Sequence, residues 1–231
     1  MSRKLAPSIL SADFARLGDE VTQVTPEADL LHVDVMDGHF VPNLTIGPPV
    51  VAALRRHTDL FLDCHLMVDN PGDLLEDFAD AGGNRCIVHV ELGDPRPLFA
   101  ELRKRSVGVG LAVSPDTPFE QAAPYLPEID LFLVMSVHPG FGGQAFIPEV
   151  LDKVRAARRA IDDAGLAEAM RRASDADGRG FGMLARGACG TVGSALVCNL
   201  PGSAGGAVEC LEAVLPAVPH ALELLAGGHP H

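Results

Sequence analysis

The segment Leu30-Leu31-His32-Val33-Asp34-Val35 is an apolar run that carries two ionisable residues, and five more apolar runs accompany it in the first two-thirds of the chain. Runs of this length, separated by amphipathic stretches, are typical of parallel strands buried on both faces. The six predicted strands are Leu5–Leu10, Leu30–Val35, Leu60–Met67, Cys86–Val90, Val107–Val113 and Leu131–Val137. The predicted helices are Phe14–Val24, Pro48–Arg56, Pro71–Ala81, Pro97–Arg105, Phe119–Tyr125 and Ile147–Ala164.

The spacing of these runs decides between two α/β architectures. Six strand–helix units at a spacing of roughly 25 residues suit either a barrel or a doubly wound sheet. A doubly wound nucleotide-binding sheet should carry G-x-G-x-x-G after an early strand, and none follows the first strand. Ionisable residues instead cluster just after several strands, where barrel enzymes place their active sites. The sequence therefore predicts a (β/α) TIM-type barrel that is incomplete, with six βα units.

Composition excludes several classes of function. The 231 residues include 18 basic and 31 acidic side chains, which gives a net charge of −13. Such a chain is a poor candidate for nucleic acid or anionic lipid, and the lack of Trp argues against base stacking. No apolar run approaches the roughly 20 residues that span a bilayer. We expect a cytoplasmic protein with a small-molecule ligand and reduced, structural cysteines; the sequence leaves a homo-oligomer open.

The rhythm changes near residue 164, which predicts two regions, 1–162 and 163–231. A helix is predicted at Leu166–Ser174 and a long apolar helix at Gly206–Leu225. Between them, Gly182–Ala185 and Ala195–Leu200 are predicted strands on either side of a glycine-rich turn. An interval of roughly nine residues is too short for a parallel crossover, so these strands should form an antiparallel hairpin.

A candidate metal site lies on the second and third predicted strands. His32 and Asp34 are two residues apart, so they share one face of a strand. His65 lies near the end of the next strand, about 4.8 Å away, and can reach the same point. Two imidazoles and a carboxylate suit Zn, Fe, Mn or Co, and burying all three is costly unless they are paired or coordinated.

Two further segments can contact a ligand. The loop Gly140-Phe141-Gly142-Gly143 follows the sixth strand, and its glycines let backbone N–H groups approach an oxyanion. Taken alone, an ordinary turn explains this loop equally well. Near the N-terminus, Ser8 can hydrogen-bond a substrate hydroxyl, whereas Asp13 is better explained as a helix cap.

These motifs together resemble the ribulose-phosphate 3-epimerase family from Met1 to about Asp162. The matching blocks are Leu5–Phe14, His32–Gly38, Val41–Asn43, His65–Val68 and Met135–Gln144. The resemblance implies that His32, Asp34 and His65 bind a divalent metal cation and that Asp34 is also the catalytic acid–base residue. It further implies substrate contacts from Ser8, from His65 and from the loop Gly140, Phe141, Gly142 and Gly143.

The implied reaction, a step of the pentose phosphate pathway, inverts C3 of a ketopentose 5-phosphate. One carboxylate removes the C3 proton, the metal stabilises an enediolate, and a second carboxylate returns a proton to the opposite face. In the family that second acid lies in a V-D-G-G-like block on strand seven, and an A-G-S-like block on strand eight binds phosphate. Neither block stands in the expected place after Asp162, and the nearest similar segment, Asp175–Gly180, has the flanks of a polar loop. Catalytic competence is therefore in question.

The C-terminal region resembles a second family. The segments Gly165–Arg171, Met183–Gly187, Val197–Ser203 and Pro219–Leu222 resemble the end of molybdopterin adenylyltransferase over about residues 165–227. The nucleotide-handling parts of that family are absent here. The alternatives to an epimerase are thus a molybdopterin-binding, adenylyltransferase-like module or an inactive chimera.

Overall fold

Five parallel strands, hydrogen-bonded in chain order, form the sheet on which the candidate site is built. The structure is a computed structural model that describes residues 4–163, 189–192 and 195–198. The strands are β1 Leu30–Met36, β2 Phe61–Met67, β3 Arg85–His89, β4 Gly108–Val113 and β5 Leu131–Val134. They confirm five of the six predicted strands in a parallel α/β sheet. Barrel closure stays a prediction, because it depends on chain beyond the described residues.

Six helices alternate with these strands. They are α1 Leu17–Val24, α2 Pro48–Arg55, α3 Leu75–Asp80, α4 Arg96–Lys104, α5 Phe119–Ala122 and α6 Val150–Asp163. Proline in the first turn begins α2 and α4, where its missing N–H costs nothing. Short 3₁₀ turns precede α1 and α3 and follow α5, so the predicted helices there are each split in two. Of the helices described, none combines the length and apolarity that crossing a bilayer requires.

The predicted first strand, Leu5–Leu10, does not form as a regular strand. The carbonyl of Leu5 accepts from Asp29 and Leu30, and that of Pro7 accepts from His32, so the segment runs beside β1. It makes a parallel bridge between Ser8 and His32 before a 3₁₀ turn over Ile9–Ser11. Pro7 has no N–H to extend a ladder, and the Ser8 hydroxyl caps the turn by accepting from the Leu10 N–H.

The sheet is buried on both faces. Every residue of β1, β3 and β4 is buried except the first of β4. One continuous apolar core surrounds the strands, with Leu62, Ile87, Leu111 and Leu133 fully enclosed. Each such side chain contributes about 1.5–3 kcal/mol to folding. Ionisable side chains on β1 and β2 are therefore held in a region that excludes water.

A separate two-stranded hairpin lies in the C-terminal region. Strands β6 Cys189–Val192 and β7 Ala195–Cys198 pair antiparallel. The sequence predicts an antiparallel hairpin, and its second strand, Ala195–Leu200, corresponds to β7. The partner of β7 is β6, which lies in the predicted turn over 187–193, and not the predicted strand Gly182–Ala185. Thr191 and Val192 favour a strand, and the register places Val192 opposite Ala195, so the interval between the strands is two residues instead of nine. The predicted elements Leu166–Ser174, Gly182–Ala185 and Gly206–Leu225 lie outside the described residues.

Candidate metal centre and glycine-rich loop

The side chains of His32, Asp34 and His65 converge between the neighbouring strands β1 and β2. One ligand atom from each lies within 4.8 Å of the other two, and all three residues are buried. Asp34 Oδ1 is 3.3 Å from His32 Nε2 and 3.1 Å from His65 Nδ1. The register explains the convergence, because Asp34 lies opposite His65 and His32 lies two residues earlier on the same face.

His32 is oriented through its other ring nitrogen. Its Nδ1 is 2.8 Å from Asp63 Oδ2, and Asp63 Oδ1 accepts a hydrogen bond of 2.5 Å from Arg85 Nε. A carboxylate accepts only, so His32 Nδ1 carries the proton and donates. His32 Nε2 then faces Asp34 as a buried nitrogen without a hydrogen-bond partner, since the ion-pair distance of 3.3 Å lacks hydrogen-bond geometry.

His65 is oriented through a second imidazole. His65 Nε2 is 2.8 Å from His89 Nε2, and His89 Nδ1 is 2.9 Å from Glu91 Oε2. The two rings stack with centroids 5.0 Å apart and planes tilted by 20°. The Phe40 ring packs against the His89 ring at a centroid distance of 4.6 Å. His65 Nδ1 is thereby directed at Asp34.

Burial and neighbouring charges give the three residues different protonation states. Burial alone would lower the pKa of His32, but the carboxylates of Asp34 and Asp63 outweigh it and raise that pKa to about 9. Burial also opposes ionisation of Asp34, yet His32 and His65 hold its pKa well below the usual range. For His65, burial dominates over the hydrogen bond to Asp34 and lowers the pKa to about 4. Asp34 is thus a carboxylate and His65 a neutral imidazole at pH 7.

These residues fit a divalent cation. Two imidazole nitrogens and one carboxylate oxygen are a donor set suited to Zn, Fe, Mn or Co. The unpartnered nitrogen of His32 points into the cluster, and both rings are held from behind by hydrogen bonds that end on carboxylates, as ligating histidines commonly are. Their roles as ligands stay predictions.

Ser8 completes the hydrogen bonding of Asp34. Its hydroxyl donates to Asp34 Oδ2 over 2.5 Å, and the residue is fully buried. The second carboxylate oxygen, Oδ1, faces the two imidazoles. Ser8 therefore fixes the orientation of the carboxylate, and its predicted contact with substrate stays a prediction.

The glycine-rich loop is tied to the connection that follows β1. Gly140 and Gly143 have φ values of +120° and +72°, which glycine adopts without strain. The side-chain amide of Asn43 donates to the Gly140 carbonyl over 2.8 Å. Phe141 is 53% exposed and, like Gly142, lies at the surface. The structure thus links the loop to the segment that follows β1, while its binding of substrate stays a prediction.

Met36 and Met67, which end β1 and β2, pack together with Val41 in a small buried cluster beside the site. Met135 belongs instead to the main core. Met36 and Met67 are therefore packed near the candidate cation site, whereas Met135 packs in the core around the sheet.

Sequence reasoning missed the residues behind the two imidazoles, namely Asp63, Arg85, His89 and Glu91. A signal was present for each pair. Asp63 shares its strand face with His65, two residues on, and Arg85 opposes it in the register of β2 and β3. The motif His89-Val90-Glu91 ends a strand with two polar residues, in the same way as the segments that were singled out.

Comparison with known proteins connects this geometry to one family. A profile of the Ribulose-phosphate 3 epimerase family matches residues 4–177. The ribulose-phosphate 3-epimerase of Mycobacterium tuberculosis is 55% identical over 159 residues, which are 68% of this chain and 69% of that protein. The protein of the same name from Mycobacterium leprae is 52% identical over 163 residues, 70% and 72% of the two chains. The cytoplasmic isoform from Oryza sativa is 48% identical over 162 residues, 68% and 71%.

Solved structures with similar folds have little sequence in common with the chain. The 3-keto-L-gulonate-6-phosphate decarboxylase of Vibrio cholerae superposes with a TM-score of 0.59 at 12% identity, over 94% of this chain and 99% of that one. A tryptophan synthase α-subunit from Pyrococcus furiosus gives 0.59 at 11% identity, over 97% and 98%. These likenesses concern the fold alone. The division near residue 162 and the second resemblance over 165–227 stay predictions.

Proposed function

The chain belongs to the ribulose-phosphate 3-epimerase family, an isomerase family, and on that premise we propose that it inverts C3 of D-ribulose 5-phosphate to give D-xylulose 5-phosphate by metal-dependent proton transfer. The observation that carries this proposal is the buried convergence of His32, Asp34 and His65. Apolar side chains at these positions would stabilise the fold at least as well, because burying ionisable groups costs desolvation free energy. The cluster is therefore better explained by function than by stability.

In the proposed reaction Asp34 is the base on one face of the sugar. Asp34 is ionised, so a carboxylate oxygen is available to accept the C3 proton as the C–H bond breaks. The electron pair moves toward the C2 carbonyl and produces a 2,3-enediolate. Ser8 keeps the carboxylate oriented throughout. A bound divalent cation supplies Lewis-acid stabilisation of the negative charge that develops on the ketose oxygens.

Inversion also needs a second acid, which returns a proton to the opposite face. Within the described part of the chain, the carboxylates closest to the cluster already have partners: Asp63 binds His32 and Arg85, and Glu91 binds His89. The family match ends at Asp177, the closest sequence counterpart of the second acid. We propose that proton removal by Asp34 is faster than inversion, because the second acid and the phosphate block lack their expected sequence.

An isotope experiment separates the two half-reactions. The full chain, loaded with Mn²⁺, Zn²⁺, Co²⁺ or Fe²⁺, is incubated in D₂O with ribulose 5-phosphate and, separately, with xylulose 5-phosphate. Loss of the C3 proton and formation of the epimer are followed by ¹H NMR. Asp34→Asn should abolish both signals. Asp80→Asn, an exposed change at the end of α3, is the matched control and should leave both unchanged.

The outcomes distinguish the hypotheses. Exchange of one epimer without inversion means that Asp34 works alone. Exchange with inversion means that a second acid is present, and Asp177→Asn should then remove the inversion and keep the exchange. A soluble, metal-loaded chain that shows neither process contradicts the proposal and favours the inactive chimera. No described contact favours the molybdopterin-binding alternative.

Three broader features belong to the same proposal. We propose that the five-stranded parallel sheet is part of a TIM-type barrel, supported by the fold likenesses above. A cytoplasmic location is supported by the name of the rice relative. Association into a homo-oligomer is to be measured by analytical ultracentrifugation of the full chain.

A further inference from the structure

The side chain of Gln144 bridges the loop that follows β5. Its Nε2 atom donates to two backbone carbonyls, to that of His138 over 2.7 Å and to that of Phe141 over 2.8 Å. The base of the loop is closed separately, because the Ile147 N–H donates to the Ser136 carbonyl over 2.9 Å. A primary amide has two N–H hydrogens, so Gln144 uses its whole donor capacity on the loop.

A second carboxamide reaches the same loop from outside. The Asn43 side chain, in the connection after β1, donates to the Gly140 carbonyl over 2.8 Å. Gly140 has a φ of +120°, a backbone conformation that other residues rarely adopt. Asn43 and Gln144 therefore hold the carbonyls of two successive residues, Gly140 and Phe141.

The held carbonyls determine where the neighbouring N–H groups point. In a planar trans peptide, the carbonyl of one residue and the N–H of the next point in opposite directions. The N–H of Phe141 therefore points away from Asn43, and that of Gly142 points away from Gln144. Within the part of the chain that the structure describes, neither N–H has a hydrogen-bond partner. Both residues are exposed, so the two N–H groups are open to a solute.

The chemistry of the loop suits an anion that is bound by backbone dipoles. Residues 136–148 contain no Lys or Arg. Successive backbone N–H groups form the anion-binding concavity of many phosphate sites, and glycine lets the backbone approach the oxygens closely. The A-G-S-like phosphate block does not stand in its expected place after Asp162, so phosphate recognition in this chain depends all the more on the loop.

We propose that Gln144 is a positioning residue for the phosphate of the ketose substrate. It holds the Phe141 carbonyl so that the Gly142 N–H, next to the Phe141 N–H, remains free to donate to a phosphate oxygen. The inference deepens the proposed reaction and rests on it. Without the Gln144 carboxamide, the peptide between Phe141 and Gly142 can rotate and turn its carbonyl oxygen, the negative end of the dipole, toward the phosphate.

The first test follows phosphate binding and needs no turnover. The ¹⁵N-labelled full chain is titrated with inorganic phosphate, with sodium chloride at matched ionic strength as the reference, and the amide signals of Phe141 and Gly142 are recorded. Both signals should shift in the wild type. Gln144→Met keeps the length of the side chain and removes its donors, so half of the Gly142 shift should require about tenfold more phosphate.

The second test measures kcat and KM for loss of the C3 proton of ribulose 5-phosphate in D₂O. Gln144→Met should raise KM about tenfold and leave kcat unchanged, because the phosphate is remote from the reacting carbon and is held equally in ground and transition states. Gln121→Met, the same change at an exposed position of α5, is the matched control and should alter neither phosphate binding nor kinetics. Urea midpoints are recorded for each variant to detect a loss of folding.

The two tests fail in different ways. If phosphate shifts both amide signals of the wild type and Gln144→Met weakens that binding, but the wild type does not exchange C3, the proposed reaction is wrong and the role of Gln144 stands. If Gln144→Met retains the phosphate response of the wild type, Gln144 does not position the loop. Amide signals that do not respond to phosphate in the wild type, or a lower urea midpoint with unchanged KM, also overturn the proposal.

Discussion

Replacing Asp63 by Asn is expected to cost far more stability than any change at a surface ion pair. Asp63 is fully buried, accepts from His32 Nδ1 over 2.8 Å and accepts from Arg85 Nε over 2.5 Å. An asparagine of the same size offers one acceptor and one donor group. One of the two donors that face it must then meet an N–H instead of an oxygen.

The magnitude follows from the burial of the partners. Arg85 is 2% exposed, and the substitution leaves its guanidinium without this carboxylate. Removing one member of a buried charge pair typically costs about 3–5 kcal/mol, because the remaining charge stays desolvated. For comparison, Glu128→Gln breaks a pair with Arg96 whose side chains are 40% and 48% exposed, and such pairs contribute about 0–1 kcal/mol.

Urea denaturation followed by far-UV circular dichroism is the suitable assay, since the chain has no Trp and only one Tyr. The free energy of unfolding is compared among wild type, Asp63→Asn, Arg85→Met, the double variant and Glu128→Gln. The double variant should be less destabilised than the two single changes added together, by about 2 kcal/mol. Additive effects, or an Asp63→Asn variant as stable as Glu128→Gln, would refute the argument that this buried pair is coupled.

Three further predictions concern other parts of the structure. Gly110→Ala should destabilise the chain by about 1–3 kcal/mol in urea, since the new methyl would lie 2.6 Å from Ile87 Cγ1; Gly18→Ala, which meets only ordinary contacts in α1, should stabilise it by about 0.5 kcal/mol. Glu91→Gln should be less stable than wild type at neutral pH by about 2 kcal/mol, a figure reduced because Glu91 is partly exposed, and this difference should disappear as the pH falls. Burial raises the pKa of Glu91, but the hydrogen bond from His89 and weaker interactions outweigh burial and lower that pKa from 4.5 to about 2. The ionised carboxylate therefore stabilises the fold above pH 4.5, and this stabilisation is lost as the pH falls to about 2. Urea unfolding measured at a series of pH values will show the loss. Asn43→Ala should raise the KM of C3 exchange about fivefold by releasing a loop held by one hydrogen bond of about 1 kcal/mol; an unchanged KM would mean that the loop does not contact substrate.

The pattern of apolar runs predicted most of the strands of the sheet. It failed where backbone hydrogen bonding determines whether a segment forms a strand and with which strand it pairs. The five regular strands follow from apolar runs that have to be buried. Leu5–Leu10 has the same composition, but Pro7 cannot donate and the segment forms isolated bridge residues instead of a regular strand. The glycine content of 187–193 predicted a turn there, but β6 lies within this segment and pairs with β7 in a register that places Val192 opposite Ala195.

The candidate site was predictable to the extent that it depends on strand periodicity. His32, Asp34 and His65 share a face because their spacing and the neighbouring strand require it, and the structure places them together. His89 joins them only through an imidazole–imidazole contact across two strands. Such a contact depends on the register of β2 with β3 and on side-chain rotamers, which the spacing of residues along the chain does not fix.

Charge balance gives a physical reason for expecting a dication in this pocket. Asp34, Asp63 and Glu91 contribute three carboxylates to one connected network, whereas Arg85 contributes the single permanent positive charge. If the imidazoles are neutral, a net charge of −2 remains in a buried region, where unpaired charges carry a large desolvation cost. The raised pKa of His32, about 9, shows the network drawing in a proton to compensate. A divalent cation supplies the full compensation and displaces that proton, so metal uptake near pH 7 should release acid, which unbuffered titration with a pH indicator will detect; uptake without proton release would show that His32 Nε2 is not a ligand.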